Sequence, residues 1–346
     1  MLRSMPDGRT GVLLINLGTP DSPSTRDVRR YLREFLSDPR VIDSAAVPRW
    51  LLVNLVIAPF RPRKAAAAYR KIWGPGGSPL WVHGIALRDA VAKTLGDAYV
   101  VELAMRYRSP SIPEALERLV AADVDHVVAL PLFPQWADSS TGSAVACLED
   151  AADALAHAPP VETLPAFFDD PGFLEALEQV AQPVLAEARP DHVLFSYHGL
   201  PERQIRAADP TASHCLSRDD CCEAPGPSLA RCYRAQCYAT TSSLAGALGL
   251  GPDDHSSAFQ SRLGRTPWIS PYTDHALPEL AARGVRRIVI FCPSFVADCL
   301  ETLEEIGIRA REQWLGLGGE ALTLVPSLNT HPRWVEAVAA MVRRAL

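Results

Sequence analysis

Three groups of residues in this chain have types and spacings that could do chemistry. In "FSYHGLPERQ" (Phe195 to Gln204), His198 stands where an apolar run ends, with a Gly-x-Pro turn directly behind it. In "FCPSFVADCLETLEEIG" (Phe291 to Gly307), Asp298, Glu301 and Glu305 follow the spacing i, i+3, i+7. A helix beginning near Ala297 would carry those three carboxylates on one face and point Glu304 elsewhere. In "HCLSRDDCCEAPGPSLARCYRAQC" (His214 to Cys237), five of the eight cysteines fall within 23 residues. An imidazole at a strand end is a proton acceptor near neutral pH. A row of carboxylates moves protons, or passes a divalent cation without the tight thiolate grip that would stop its release. A dense run of thiols in a cytoplasmic chain suits a metal site better than disulfides. Paired C-x-x-C knuckles, the usual zinc signature, are absent, which favours an iron-sulfur cluster with four thiolate ligands.

Plainer readings exist for two of these groups. A histidine can simply close a strand through a hydrogen bond, and acidic residues at a helix start suit its dipole. The elements that carry them weigh against both. "ALERLVAADVDHVVALPLF" (Ala115 to Phe133) matches "ALPELAARGVRRIVIFCPS" (Ala276 to Ser294) at an offset of 161, and "LPAFFDDPGFLEAL" (Leu164 to Leu177) matches "VPSLNTHPRWVEAV" (Val325 to Val338) at the same offset. Earlier in each half, "LLINLGTP" (Leu13 to Pro20) pairs with "LFSYHGLP" (Leu194 to Pro201) at an offset of 181. Each half reads as apolar strand, helix, strand, helix, strand, and strands that apolar belong to parallel sheets covered on both faces. The expectation is an α/β protein of two similar Rossmann-like, doubly wound lobes, with a ligand cleft beyond the carboxyl ends of the strands. His198 sits at such an end. Its counterpart is Leu17, beside Gly18, so the turn does not require a histidine.

The expected divisions are an N-terminal lobe over 1–160, a C-terminal lobe over 161–325, and a closing helix over 326–346 packing back across the lobes. The change of offset marks extra sequence in the first lobe at about 37–80. Just before it, "STRDVRRYLREFLSD" predicts a helix capped by Ser24, with Val28, Tyr31, Leu32, Phe35 and Leu36 as its core face. Within it, "WLLVNLVIAPFRPRKAAAAYRKIWGPGGSPL" joins an apolar run to Arg61, Arg63, Lys64, Arg70 and Lys71. That is either a solvated basic helix or an amphipathic lip receiving a flat apolar ligand that carries carboxylates.

Composition excludes several classes. The 346 residues are 48% hydrophobic and 21% charged, as in a soluble globular protein, and exceed one ordinary core. A net charge of -6 without a basic block argues against a nucleic-acid partner. The start "MLRSMPDGRTGVLLINLG" lacks the features of a secretion signal, so a cytoplasmic location is expected. The run Trp50 to Phe60 is interrupted by Asn54 and ends near a proline, far short of the roughly 20 residues of a spanning helix; it can lie on a membrane without crossing it.

Taken together, "GVLLINLGTPDSP", "FLSDPRVID", "GGSPL", "PLFPQWADSSTGSA", "FSYHGLPER", "FQSRLGRTPWISPYTD" and "FVADCLETLEEIG" occur in the order and approximate spacing of the ferrochelatases, and the chain resembles that family from about Gly11 to Glu305 and onward. The resemblance implies chelatase-like lobes around a porphyrin cleft, protoporphyrin IX and ferrous iron as substrates, protohaem as product, and no nicotinamide cofactor. It implies His198 as the essential histidine and Glu301 as the essential glutamate of the facing helix, the pair that meets the Fe2+ substrate, with Asp298 and Glu305 along an acidic proton or metal path. Arg106 and Tyr107 match a pair near the metal side of the pocket, and Trp268 and Ser261 its wall. Arg61, Lys64, Tyr69 and Ser78 match the lip and the region contacting the propionates, and peripheral contact with the inner membrane goes with that lip. The chain departs from many relatives in having Cys299 where they have histidine.

In ordinary members an Asp-Pro runs directly into a segment like "YRAQC". Here Asp209-Pro210 and Tyr233 to Cys237 are separated by an insertion, about 211–232, holding Cys215, Cys221, Cys222 and Cys232. It is similar to the variety with a 2Fe-2S cluster on an internal segment, which assigns those four as ligands and leaves Cys237 as a spare. Cys147 and Cys292 read as buried apolar residues. Two other functions fit the same residues: a chelatase for another ring or metal, such as coproporphyrin or cobalt, and a porphyrin or haem carrier without turnover.

Overall fold

Strand β1 (Arg9–Gly18) is sealed from solvent along Val12 to Ile15. A strand apolar on both faces needs cover on both, and parallel pairing with crossover helices supplies it. β1 pairs in parallel with β2 (Tyr99–Tyr107) and β3 (Val124–Pro131), and β3 with β4 (Val161–Thr163), in the order β2-β1-β3-β4. A second sheet of β5 (His192–His198), β6 (His255–Gln260), β7 (Arg287–Phe291) and β8 (Ala321–Leu324) has the order β6-β5-β7-β8, again all parallel. Both halves therefore wind as second, first, third, fourth strand, and the repeat expected from the sequence is a structural repeat of two doubly wound α/β sheets.

This computed structural model describes residues 8–223, 227–264 and 266–346. Residues 1–7 of the expected first lobe, 224–226 of the cysteine insertion and Arg265 lie outside the described residues. The chain divides into two units, one of residues up to Phe133 with 138–166 and 332–346, the other of 134–137 and 167–331. In the first, Leu13, Ile15, Ala104, Leu116 and Val127 form a core with the helices Ile112–Ala121 and Ser143–Ala154. In the second, Leu194, Leu277, Ile288, Ile290 and Trp314 do the same.

Glycines follow the working registers of β1 and β5. A Cβ on Gly18 (φ +118°) would lie 2.0 Å from the Tyr107 carbonyl, and one on Gly199 2.9 Å from the Gln260 carbonyl. Only glycine lets the chain leave each strand this close to its neighbour.

In the first unit, Ser24 caps the helix Thr25–Ser37 as expected, accepting from the Asp27 amide, and Val28, Tyr31 and Leu36 are buried. The extra sequence is helical in three pieces, Ala46–Leu51, a π-helix Leu52–Ile57, and Ala58–Ile72. Among the described residues no helix is long and apolar enough to cross a membrane. The helix Pro332–Arg344 packs on Pro79–Leu95, where Arg343 donates to the Thr94 carbonyl at 2.9 Å.

In the second unit the acidic helix differs from the sequence reading. It runs from Leu300 to Ala310 as a π-helix, so Asp298 lies outside it and does not share a helical face with Glu301. The cause is local. Cys299 is extended (φ -148°, ψ -169°), its amide taken by Thr302 Oγ1 at 3.0 Å, and Asp298 is drawn away by partners on another loop.

Candidate active site

His198 is the last residue of β5 and is half-buried. Its ring Nδ1 lies 2.7 Å from the Gly199 carbonyl. A carbonyl only accepts, so Nδ1 carries the proton of the neutral ring and Nε2 presents the lone pair of a base. Trp268 and Phe295 flank the imidazole, with ring centroids at 6.5 and 6.3 Å. Trp268 is itself fixed by a bond from its indole N–H to the Leu263 carbonyl at 3.0 Å. The peptide joining His198 to Gly199 is held on both edges: the Tyr233 phenol donates to the His198 carbonyl at 2.8 Å, and the Gly199 amide donates to the Gln260 carbonyl at 2.8 Å.

The carboxylates divide by partner. Glu301 is half-buried, and its backbone carbonyl accepts from Gln260 Nε2 at 2.9 Å. Glu305 accepts from the Ser261 amide at 3.0 Å, from the Ser261 hydroxyl, and from Gln260 Nε2 at 3.4 Å, with Arg309 at 3.6 Å. Ser261 adopts φ +66°, a left-handed conformation costly for a residue with a Cβ, and in it both its donors meet Glu305. Asp298 is buried and accepts from Asn329 Nδ2 at 2.8 Å, the Ser327 amide at 3.1 Å and Thr302 Oγ1 at 3.4 Å. It ties down a loop instead of standing open beside Glu301. Glu304 is buried against Arg309 at 2.8 Å. Burial, helped by the neighbouring Glu301 carboxylate, pushes the Cys299 thiol well above its ordinary value, so position 299 carries a protonated thiol.

Gln260 was not singled out in the sequence, yet it joins these parts. It is buried, in register with His198, and its side chain reaches both Glu301 and Glu305 while accepting from the Ser196 hydroxyl at 2.8 Å. An amide directly after the apolar pair Ala258 and Phe259, at the end of a strand, was the available signal.

In the first unit, Arg106 and Tyr107 are committed to Asp38. The guanidinium meets its carboxylate at 2.7 Å, the phenol donates to it at 2.9 Å, and the Ser143 hydroxyl donates at 2.5 Å. Burial opposes ionisation of Asp38, but the Ser143 hydroxyl, the Arg40 amide, the Tyr107 phenol and Arg106 outweigh it and hold the carboxyl below its usual range. Tyr69 is buried edge-on to Trp73, and Ser78 is a buried cap that accepts from the Trp81 amide at 3.3 Å. Arg61 and Lys64 are exposed on the helix Ala58–Ile72, next to an apolar surface in which Trp50 is 57% and Phe60 76% exposed.

The cysteine segment closes around Asp209. This carboxylate accepts from the amides of Thr211, His214 and Cys215 at 2.8 to 2.9 Å, and from the hydroxyls of Thr211 (2.8 Å) and Ser228 (2.6 Å). Its limbs are thereby brought together. Cys215, Cys221 and Cys232 are buried and Cys222 is half-buried. The thiols of Cys222 and Cys215 hydrogen-bond to Cys232, which begins the helix Tyr233–Ala247, and together with its first amides they hold Cys232 below its ordinary value despite burial. Cys221 Sγ accepts from the Leu216 amide at 3.4 Å and from Arg234 at 3.9 Å. Among the described residues no group of three or more His, Cys, Asp or Glu side chains is arranged to hold a metal ion. The four thiols lie near one another, and the Cys221 sulfur has two N–H donors. Cys237 is a fully buried thiol beside Tyr233, and burial pushes it well above its ordinary value. Cys292 is buried as expected, whereas Cys147 is only partly buried against the first core.

The ferrochelatase family model matches residues 9–346. A ferrochelatase of Coxiella burnetii is 48% identical over 340 residues, 98% of this chain and 95% of the relative, and one of Azotobacter vinelandii is 50% identical over 333 residues, 96% and 98%. The solved structure "SirB from Bacillus subtilis with Fe3+" is alike in fold alone, with a TM-score of 0.54 at 12% identity over 97% of this chain and 95% of that one. A half-length repeat, a histidine and an acidic helix at the end of the second sheet, and likeness over the whole length agree: the chain belongs to the ferrochelatase family.

Proposed function

We infer that this protein inserts Fe2+ into protoporphyrin IX, releasing two protons and forming protohaem. Beyond family membership, the observation that carries this is the His198 to Gly199 bond, which leaves Nε2 as a base at a strand end. Metal insertion removes two pyrrole protons, and a planar ring hides the nitrogen lone pairs. A site that bends the ring exposes them, as in any site shaped toward its transition state. His198 takes a pyrrole proton, and Glu301 with Glu305 forms the acidic path for protons or metal. Asp298, tied to the loop Ser327 to Asn329, positions that path.

Trp268 supplies an aromatic wall beside His198, and Ser261 acts through Glu305. In the first unit, Arg106 and Tyr107 support ring binding through the Asp38 network, Arg61 and Lys64 offer charge to propionates, and Tyr69 and Ser78 shape the lip. The exposed apolar surface from Trp50 to Phe60 beside Arg61, Arg63 and Lys64 supports peripheral contact with an anionic lipid surface. Cys215, Cys221, Cys222 and Cys232 hold a 2Fe-2S cluster, with Cys237 in reserve; when bound, such a cluster supplies a cross-link and a one-electron couple.

The deciding experiment is anaerobic incubation of protein with excess porphyrin and ferrous iron. Free-porphyrin fluorescence should fall over many turnovers. A decay that stops at one equivalent would make the protein a carrier, and faster turnover with coproporphyrin or cobalt would make it another chelatase.

A further inference from the structure

The cysteine segment is attached to the His198 turn at both of its ends. At the leading end, the helix Glu202–Ala207 follows the turn directly, and Arg206 donates to the Cys215 carbonyl at 3.4 Å. At the trailing end, Cys232 is followed at once by Tyr233, whose buried phenol donates to the His198 carbonyl at 2.8 Å and meets Ser294 Oγ at 3.0 Å. The pairing of β5 with β7 stops at Phe195, so no ladder partner reaches the His198 carbonyl from that side and the phenol takes its place. That same peptide donates through the Gly199 amide to Gln260, and the next carbonyl, of Gly199, receives the imidazole Nδ1–H. Rotation of the peptide plane therefore re-aims the ring.

We propose that Tyr233 is a positioning residue through which the state of the cysteine segment reaches His198; this rests on the cluster assignment above. With the thiols ligated, the first turn of the helix Tyr233–Ala247 is pinned at Cys232 and holds the phenol on the carbonyl. With the thiols released, that turn keeps the bonds of Gln236 to the Trp136 amide and the Ala230 carbonyl but loses its pin at Cys232, and the phenol's hold on the His198 carbonyl loosens.

A double-mutant cycle on the purified holoprotein tests this. Tyr233→Phe should keep the parent's visible absorbance and iron content, lower kcat by about fivefold to tenfold with the porphyrin KM within about twofold, and displace the pH midpoint of kcat. Cys222→Ser should lose the visible absorbance and slow turnover, and the double variant should be no slower than the slower single one. Amide exchange at Gly199 should be faster in Cys222→Ser than in the parent, a readout that needs no tyrosine variant. Parent kcat and pH profile in Tyr233→Phe, effects that multiply in the double variant, or unchanged protection at Gly199 would each overturn the proposal. A colourless parent without two irons per chain would instead sink the cluster assignment and the coupling with it, and the pH profile of Tyr233→Phe still reads the phenol contact separately.

Discussion

Gln260 Nε2 donates to the Glu301 carbonyl at 2.9 Å, so a residue in register with His198 on the neighbouring strand holds the first turn of the acidic helix. The strand end and the helix are one fastened unit. Gln260→Leu leaves the Ser196 hydroxyl without its Gln260 acceptor and removes a donor from both Glu301 and Glu305. Stability should fall by about 1 to 3 kcal/mol, read as a lower denaturant midpoint at unchanged slope. Turnover should fall as well, and wild-type values for both would show that Gln260 fastens nothing.

His198→Ala should retain porphyrin binding and lose insertion by a factor of about 10² to 10⁴, the usual worth of a positioned proton acceptor. Fluorescence titration measures the first quantity and haem absorbance the second. The fold should survive, because the equivalent register in the first unit is Leu17.

Asp38 makes the first unit sensitive to acid. Its carboxyl is held below the ordinary value near ~3.9, so its contribution is complete above that pH and is lost as the pH falls through the lower, folded value. Thermal unfolding between about pH 5 and pH 2 should show this loss, and Asp38→Asn should flatten that part of the profile. At neutral pH, Asp38→Ala removes the buried carboxylate partner of Arg106 and Tyr107, leaving them Ser143, and should cost about 3 kcal/mol.

The cysteines separate by position. Cys232→Ser should abolish visible-region absorbance and iron content, whereas Cys237→Ser should keep both, because Cys237 is packed in the core. Asp209→Ala should behave like Cys232→Ser, since one carboxylate gathers the amides of His214 and Cys215 and the hydroxyl of Ser228. Colour lost in Cys237→Ser would reassign the ligands.

Trp50→Ser with Phe60→Ser should weaken binding to vesicles containing anionic lipid while changing stability by no more than about 0.5 kcal/mol per site, since both side chains are exposed. Equal sedimentation with vesicles before and after substitution would remove the membrane contact.

Much of the fold was legible because its determinants are local and periodic. The continuous apolar runs of β1, β3, β5 and β7 demanded parallel sheets, and the internal repeat showed that the pattern occurs twice, though each sheet has a fourth strand beyond the three expected. His198 was legible as an exception, a polar residue in a register where the other half has leucine. The π-helix Leu300–Ala310 was not, because its late start depends on Asn329 and Ser327 capturing Asp298 from about thirty residues away. The same holds for Asp38, which meets Arg106 and Ser143 across 68 and 105 residues. Those contacts are set by tertiary structure and leave no periodic trace. Arg106 and Tyr107, placed near the pocket by the resemblance, bond to Asp38 and Ser143.

The match of Gly18 with Gly199 and of Leu17 with His198 repeats one strand exit in both halves, with an imidazole at the second alone. The two exits share a close approach of glycine to a neighbouring carbonyl but not the backbone angle, since Gly18 has φ +118° and Gly199 has no positive φ. An imidazole grafted at Leu17 would therefore leave its strand on a different turn from the one that aims His198.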